Sequence, residues 1–321
     1  MSCVRQAILN SGLEVDTTSI IMASWRDTTK AKYSTYINQW LSFCEQNGIN
    51  YLQASPNDAL KYLTQVFNNG RRHSTVAAAR SALSAIMPPQ NGVPFGDLPV
   101  VSRFVKGVAN LRPPLPKYTS VWHVNTILNT FRSMEVNRCL TLRDLTLKLT
   151  TLLCLVLIQR AQTIHSFDIG HIRIDATGAH IAFPAKLKQT RPGYHPKPIF
   201  IPVYEREPIL CPVSALQVYI DRTCSLRQGN SQLLLSYVKP HSPVSRKTVY
   251  RWLKTVLSNS GIDISVFQGH SVRVAGGSKA KQSGVPKTNI LKMAGWSGEQ
   301  VFATHYDKPV EVDVVAAILT T

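Results

Sequence analysis

Acidic residues are scarce in this chain of 321 residues, which has 18 aspartates and glutamates against 36 lysines and arginines. The formal charge of +18 is spread along the sequence, with 12 basic and 6 acidic residues in 1–117 and 24 and 12 in 118–321. This spread excludes a single basic tail. Two basic domains predict a long polyanion as partner, with nucleic acid the first candidate, whereas a basic surface that only aids solubility is the alternative.

Metal-binding and membrane-spanning patterns are also missing. The six cysteines show no CxxC spacing and no His–Cys cluster, and the carboxylates do not cluster, so no metal site is expected. The longest apolar run, 150–158, is too short to cross a bilayer, and the first twelve residues lack the apolar core of a signal peptide. We therefore expect an intracellular protein with reduced thiols and no membrane association.

The first part of the chain predicts four helices, at 28–48, 55–70, 73–89 and 98–114, from helical periodicity and helix-stop residues. Ser55 and Asp58 form a capping signal at the start of the second helix. We expect these helices to form a compact DNA-binding bundle over residues 1–112. Basic side chains of the bundle are the candidate phosphate contacts: Lys30, Lys32, Arg71, Arg72 and Arg80.

The proline-rich segment 113–118 is stiff and basic, and it forms the predicted linker. Residues 119–321 are predicted to be mostly helical with one small sheet, whose strands are HIRID, AHIAFPA and PIFIPVY. The hairpin between the last two strands carries Lys186, Lys188 and Arg191 around a Pro-Gly turn, where they can reach into a groove. The predicted fold class is mainly α with a small antiparallel β-sheet.

The stretch GHSVRVAGGS, residues 269–278, places His270 and Arg273 one turn apart at the start of a predicted helix. The free N–H groups of a helix start favour anions, and glycines at 276 and 277 allow close backbone approach. The alternative is an ordinary helix packed tightly on a neighbour, because an isolated HxxR pattern is common by chance. Lys279 and Lys281 follow on the same helix as candidate DNA contacts.

Two other segments carry chemistry that fits an anion. Arg160 ends the apolar stretch LCLVLIQR, and a guanidinium at the end of a buried helix needs a partner, either Asp168 or a bound phosphate. Downstream, MAGWSGEQVFATHY predicts a short helix that ends at Gly295, then Trp296, then a helix with Tyr306 at its far end. Judged alone, the two aromatic residues are better explained as core residues.

Taken together, these residues resemble the active-site series of the tyrosine recombinases, also called the phage integrase family. The series runs, in chain order, Arg160, a hairpin lysine, His270, Arg273, Trp296 and Tyr306. The helical bundle resembles that family's core-binding, SAM-like domain, so the resemblance covers most of the chain. The segments KQTRPG, PVSALQVYI, GHSVR and ILKMAGWS are most similar to recombinases of eukaryotic mobile elements of the Crypton or DIRS-like kinds.

The resemblance implies cleavage and rejoining of double-stranded DNA through a 3′-phosphotyrosyl intermediate at Tyr306, with neither metal nor cofactor required. It implies that Arg160 and Arg273 hold the scissile phosphate and that His270 assists proton transfer at the tyrosine. Trp296 would donate a hydrogen bond to the phosphate.

In the same resemblance, Lys188 protonates the leaving 5′ oxygen, and Lys186 is the alternative because spacing does not choose between them. The resemblance also implies that the protein assembles as dimers to tetramers on paired DNA sites. In a eukaryotic host it implies a location in the nucleus. A type IB topoisomerase and a non-catalytic DNA-binding protein derived from a recombinase are the other functions that fit the sequence.

The chain departs from the family pattern at Thr163, where many members carry an acid three residues after the first arginine. Arg160 is then expected to be braced differently, through Asp168 or through backbone carbonyls. The segment VDVVAAILTT beyond Tyr306 is of the kind that packs onto a neighbouring subunit in the family, and folding back on its own domain is the alternative.

Overall fold

The structure is a computed structural model that describes residues 2–113, 118–183, 197–296 and 298–309. It divides the chain into two compact units, Met1–Leu115 and Pro116–Thr321. The fold is 58% helical with a small three-stranded antiparallel sheet, which confirms the predicted fold class. No helix within these described ranges is long and apolar enough to span a membrane.

The N-terminal unit contains helices joined by loops, and no strand is assigned in its described residues. Its helices are α1 (Ser2–Asn10), α2 (Val15–Ala23), α3 (Asp27–Gln46), α4 (Pro56–Asn68), α5 (His73–Ser84) and α6 (Pro99–Leu111). The last four match the four predicted helices, whereas α1 and α2 were not expected. Thr18 is the only buried residue of α2, so this segment has no apolar stripe from which a helix could be predicted.

Aromatic packing and a capping box explain why the bundle forms. Trp40 is fully buried, stacks on Phe43 at 5.7 Å between ring centroids and meets the edge of Tyr62 at 5.5 Å. The hydroxyl of Ser55 accepts from the backbone N–H of Asp58, and the carboxylate of Asp58 accepts from the backbone N–H of Ser55. This reciprocal cap fixes the start of α4, as the sequence predicts.

The C-terminal unit surrounds one buried helix. Its elements are α7 (Val124–Arg132), α8 (Leu142–Val156), α9 (Ala161–His165), β1 (Ile172–Asp175), β2 (Gly178–Ile181), β3 (Ile199–Pro202), α10 (Pro212–Thr223), α11 (Arg246–Asn259), α12 (Ser271–Gln282), α13 (Lys287–Ala294) and α14 (Glu299–His305). All residues of α8 from 145 to 155 are buried, and α9, α10, α11 and α12 pack against it. A leucine-rich helix without a polar face requires such a central position.

The sheet has the order β1-β2-β3, and both pairs are antiparallel, with Ala179 opposite Ile201 in the second pair. Asp175 closes the first turn, since its carboxylate accepts hydrogen bonds from the hydroxyl and backbone N–H of Thr177, and these bonds lower the pKa of Asp175 to about 2. Beyond β2, residues 184–196 lie outside the described ranges, and with them the predicted lysines of the second hairpin.

Candidate active site

Helix α8 ends at Val156, four residues before Arg160, which corrects the expectation that Arg160 terminates this helix. The chain turns at Ile158, whose φ of 52° lies in the left-handed region that β-branched residues rarely adopt. Arg160 then occupies the N-terminal cap position of α9 with an extended backbone. Arg160 therefore stands at the start of α9, two residues after the strained Ile158, and not at the end of α8.

Asp168 has other partners than the one expected from the sequence. Its carboxylate accepts hydrogen bonds from the hydroxyl of Ser231 and from the backbone N–H of Gly170, the latter at 2.8 Å. His171 lies 3.6 Å away and adds to the lowering of the Asp168 pKa, in which the bond from Ser231 is the largest favourable cause. Asp168 thus caps a short 3-10 turn, and its hydrogen bonds go to Ser231 and Gly170 rather than to Arg160.

Helix α12 begins at Ser271, directly after His270, where the sequence predicts a helix start. The hydroxyl of Ser271 accepts a hydrogen bond of 2.9 Å from the indole of Trp122, and both groups are buried. At Gly276 a Cβ atom would lie 2.5 Å from the backbone oxygen of Leu155, so α12 approaches α8 too closely for any side chain. The alternative given for this glycine, tight packing on a neighbouring helix, therefore explains it.

Arg273 is almost completely buried, with 1% of its surface exposed. Its Nη2 donates to the backbone oxygen of Ala294 at 2.9 Å, and its guanidinium lies 4.7 Å from the ring centroid of Trp296 and 5.1 Å from that of Tyr306. Burial, together with the charge of Arg160, lowers the pKa of Arg273 to about 10, while Tyr306 acts in the opposite direction. The guanidinium thus remains charged at neutral pH.

Tyr306 closes this cluster from the end of α14. Its ring lies 4.2 Å from that of Trp296 and 5.9 Å from that of His270, and 6% of the residue is exposed. Its backbone oxygen accepts a 2.8 Å hydrogen bond from the buried hydroxyl of Ser278, which ties α14 to α12. Four residues predicted to be catalytic, two aromatic and two basic, therefore meet in one place.

Tyr250 on α11 was not expected at this site. Burial raises the pKa of its phenol, and charges on Arg160 and Arg273 act against that shift, so the phenol lies within electrostatic reach of both arginines and of Tyr306. The residue keeps 37% of its surface exposed. An aromatic residue on an amphipathic helix gives no signal that separates such a position from the core, so the sequence could not have identified it.

Three N–H donors in this cluster are buried and have no acceptor among the described residues: Nε and Nη1 of Arg273 and Nε1 of Trp296. Buried donors are nearly always hydrogen-bonded, so such a concentration needs an explanation. An anion with several oxygens could satisfy them, and the ring of Tyr306 lies beside them. No group of three metal-ligating side chains occurs within the described parts of the chain.

The sequence model of the phage integrase family matches residues 121–309, a span that contains every member of this cluster. The chain belongs to the phage integrase family. The match confirms the class predicted from the ordered residues, a tyrosine recombinase, and with it DNA cleavage and rejoining as the general activity. No curated protein matches the chain.

Solved structures of recombinases are similar to this chain over most of its length. The XerH recombinase bound to its difH substrate gives a TM-score of 0.56 at 12% identity, covering 84% of this chain and 70% of that chain. The Tn1549 transposon integrase in complex with transposon right end DNA gives a TM-score of 0.53 at 14% identity, covering 98% of this chain and 97% of that chain. A lambda integrase tetramer bound to a Holliday junction gives a TM-score of 0.52 at 17% identity, covering 93% of this chain and 78% of that chain. At these identities the matches show the fold.

The basic residues of the N-terminal unit that are expected to contact DNA differ in their exposure. Lys32, Arg71 and Arg72 are exposed. Lys30 is half-buried and lies 3.8 Å from the carboxylate of Asp27. Arg80 points into the bundle, where its Nη1 donates to the backbone oxygen of Gly96 at 2.9 Å. Its guanidinium therefore joins α5 to the following turn, contrary to the expected display toward DNA.

In the C-terminal unit, the candidate DNA contacts of α12 lie in the last turn of the helix. Lys279 is half-buried, and Lys281 forms an ion pair with Asp307, directly after the tyrosine. That pair ties the end of α12 to the end of α14. The hairpin candidates, Lys186, Lys188 and Arg191, lie outside the described residues.

Proposed function

We propose that this chain cleaves and rejoins double-stranded DNA at specific sites through a transient 3′-phosphotyrosyl bond at Tyr306. The observation that carries the proposal is the group of three buried, unsatisfied N–H donors on Arg273 and Trp296, next to the Tyr306 ring. A phosphodiester supplies the oxygens that such donors need, and the phenol supplies the nucleophile.

In the proposed reaction, the phenolic oxygen of Tyr306 attacks phosphorus while Arg160 and Arg273 bind the non-bridging oxygens. Negative charge grows on these oxygens in the pentavalent transition state, so two permanent cations stabilise it more than the ground state. Trp296 adds a donor hydrogen bond and cannot take up a proton, because its indole nitrogen has no free lone pair.

Two protons have to move in the same step. The phenol loses its proton to His270, whose ring lies 5.9 Å from that of Tyr306, and the departing 5′ oxygen gains one from Lys188, with Lys186 as the alternative. Rejoining reverses both transfers when a 5′ hydroxyl attacks the phosphotyrosine. The bond energy stays in the covalent intermediate, so no nucleotide is consumed.

Engagement of DNA requires a local rearrangement. Arg273 is 1% exposed and Tyr306 6% exposed, and the phenol ring covers the guanidinium. A phosphate can reach the free guanidinium nitrogens only if the Tyr306 ring withdraws from that face. The short helix α14 and its N-terminal cap, Gly298, are the elements that have to shift.

The partner in this proposal is duplex DNA, bound by both basic units, with dimers to tetramers assembled on paired sites. The structural relatives support it, because they were solved as complexes with DNA, one of them as a tetramer on a Holliday junction. The Crypton or DIRS-like origin, and action in the nucleus of a eukaryotic host, remain part of the proposal and depend on the segments GHSVR and ILKMAGWS.

The experiment is a Tyr306→Phe substitution tested on nicked suicide duplexes that carry the sequences flanking the gene. We expect the unaltered chain to form a covalent protein–DNA adduct with the phosphate on Tyr306, mapped by mass spectrometry. The phenylalanine variant should form none while its affinity for the duplex changes by less than about threefold, because only the nucleophile is lost.

Tyr250→Phe is the matched control, since it removes a phenol from the same neighbourhood without touching the proposed nucleophile. Adducts that persist in Tyr306→Phe would refute the assignment. Relaxation of supercoiled plasmid that lacks paired sites would identify a type IB topoisomerase instead.

A further inference from the structure

The C-terminal end of α13 has all four of its last backbone carbonyls hydrogen-bonded, although no further helical turn is there to do it. The backbone N–H groups of Trp296 and Gly295 donate to the oxygens of Leu291 and Lys292, at 3.0 and 3.3 Å. Gly295 makes this reversal possible, because its φ of 63° and ψ of 39° place it in the left-handed conformation. Two carbonyls, those of Met293 and Ala294, are left for other partners.

Those two carbonyls are capped by side chains from distant parts of the chain. Nε2 of Gln159 donates to the oxygen of Met293 at 2.6 Å, and Nη2 of Arg273 donates to the oxygen of Ala294 at 2.9 Å. Gln159 is 4% exposed, so the hydrogen bond that its side-chain amide donates is shielded from water. One helix end thus joins the segment that carries Arg160 to Arg273, and Trp296 lies two residues beyond this end.

We infer that Gln159 is a positioning residue for DNA cleavage, which acts by fixing Arg160 relative to Arg273 and Trp296 before DNA binds. The inference rests on the proposed function, since it assigns Arg160 to the scissile phosphate. The bond from Gln159 joins the segment next to Arg160 to the end of α13, which also accepts the bond from Arg273.

The need for such a bond follows from the local structure. Thr163, three residues after Arg160, carries no charge, and the carboxylate of Asp168 is held by Ser231 and Gly170. Ile158, two residues before Arg160, has a φ of 52°, a backbone conformation that is unfavourable for β-branched residues and persists only when surrounding contacts fix it. The Gln159 bond is the contact that lies between the strained residue and the arginine.

The test is Gln159→Met, which keeps the length and apolar volume of the side chain and removes the donor. At saturating suicide duplex, we expect the rate of adduct formation to fall about 10- to 100-fold, because small misplacements of a catalytic group cost this much. The affinity for the duplex should change by less than about threefold, since the contacts that dominate it are elsewhere. Gln159→Leu is the second variant, in case one side chain packs poorly.

Gln162→Leu is the matched control, a loss of the same amide from a half-buried position on α9 that does not cap α13. Thermal unfolding of all variants shows whether they remain folded. An adduct rate in Gln159→Met that equals that of the Gln162 control would overturn the inference.

A second readout separates positioning of Arg160 from general loosening of the fold. On a duplex with a methylphosphonate at the scissile position, less positive charge is needed, so cleavage stays measurable in Arg160→Ala. If Gln159 acts through Arg160, Gln159→Met should add less than about a twofold loss on that background. Equal losses with and without Arg160 would overturn the inference. Absence of any adduct in the unaltered chain would refute the proposed function itself, and the inference with it.

Discussion

Two buried arginines in the C-terminal unit, Arg227 after α10 and Arg273 on α12, are exposed by only 6% and 1%. Arg227 is almost fully hydrogen-bonded: its Nη1 donates to the backbone oxygen of Gln232, and its Nη2 donates to the hydroxyl of Thr223 and the backbone oxygen of Leu233, all within 2.6–3.0 Å. Arg273 makes one such bond. Burial lowers the pKa of both groups.

The difference shows that burial of a charge does not by itself mark a functional site. Arg227 donates to two backbone carbonyls and a hydroxyl, which are neutral groups of the protein. The charge of Asp168 acts to raise the pKa of Arg227. After Tyr306, the group whose charge affects Arg273 most is Arg160. Its positive charge lowers the pKa of Arg273. Among the described residues, Arg273 has two buried donors without an acceptor, Nε and Nη1, whereas Arg227 has one, Nε. This difference and the like-charged neighbour fit the proposed binding of an anion by Arg273.

The largest expected effect is on cleavage by Arg273→Ala. Loss of a buried cation that stabilises the transition state should slow adduct formation by about 10³-fold or more at saturating DNA. The measurement is single-turnover cleavage of the suicide duplex. Arg273→Lys keeps the charge but not the forked donors, so its adduct rate should lie between those of the alanine variant and the unaltered chain. An adduct rate in Arg273→Ala within tenfold of that of the unaltered chain would contradict the comparison.

Arg227→Ala should act on stability and not on chemistry. Its removal leaves two backbone carbonyls and a hydroxyl without their donor, which we expect to lower the free energy of unfolding by about 2–4 kcal/mol. Scanning calorimetry of the full chain measures the loss in the C-terminal unit. The adduct rate per folded molecule should stay within about twofold, since no bond of Arg227 reaches the active-site cluster; a thousandfold loss there would erase the distinction drawn between the two arginines.

The sequence could predict the series of catalytic candidates and the elements that carry most of them, because helix starts, stops and glycine positions are local signals. Gly295 is an example, where a glycine after an apolar segment predicts the helix end that the structure has. Contacts between distant segments are not written in any local pattern. The bonds from Gln159 and Arg273 to the same helix end join residues that are 134 and 21 positions from their partners, so only the fold reveals them.

Side-chain direction was the other limit. Arg80 and Lys32 are equally basic in sequence, yet Arg80 turns inward to Gly96 while Lys32 faces solvent. The end of α8 was also misjudged, because the apolar run continues through Ile158 and only the backbone conformation there stops the helix. Propensity gives no warning of a left-handed isoleucine, since tertiary contacts impose it.

Lys148 on α8 extends the comparison to a buried cation that can give up its charge. The residue is fully buried, and its Nζ has no hydrogen-bond partner in the described part of the chain. Burial lowers its pKa from 10.5 to about 8. Below pH 8 both the folded and the unfolded chain hold the proton, so folding bears the full cost of burying the charge. Between pH 8 and 10.5 only the unfolded chain holds it, and stability rises with pH.

Lys148→Met should therefore stabilise the C-terminal unit by about 2 kcal/mol at pH 7, with a gain that shrinks as the pH rises from 8 toward 10.5. Calorimetry of both proteins across this range measures it, and other titrating groups cancel in the difference. Lys247→Met, at an exposed position on α11, is the control and should change nothing. A gain independent of pH would mean that better packing, and not the removed charge, is its cause. A loss of stability would show that Lys148 is satisfied in solution, unlike Arg273.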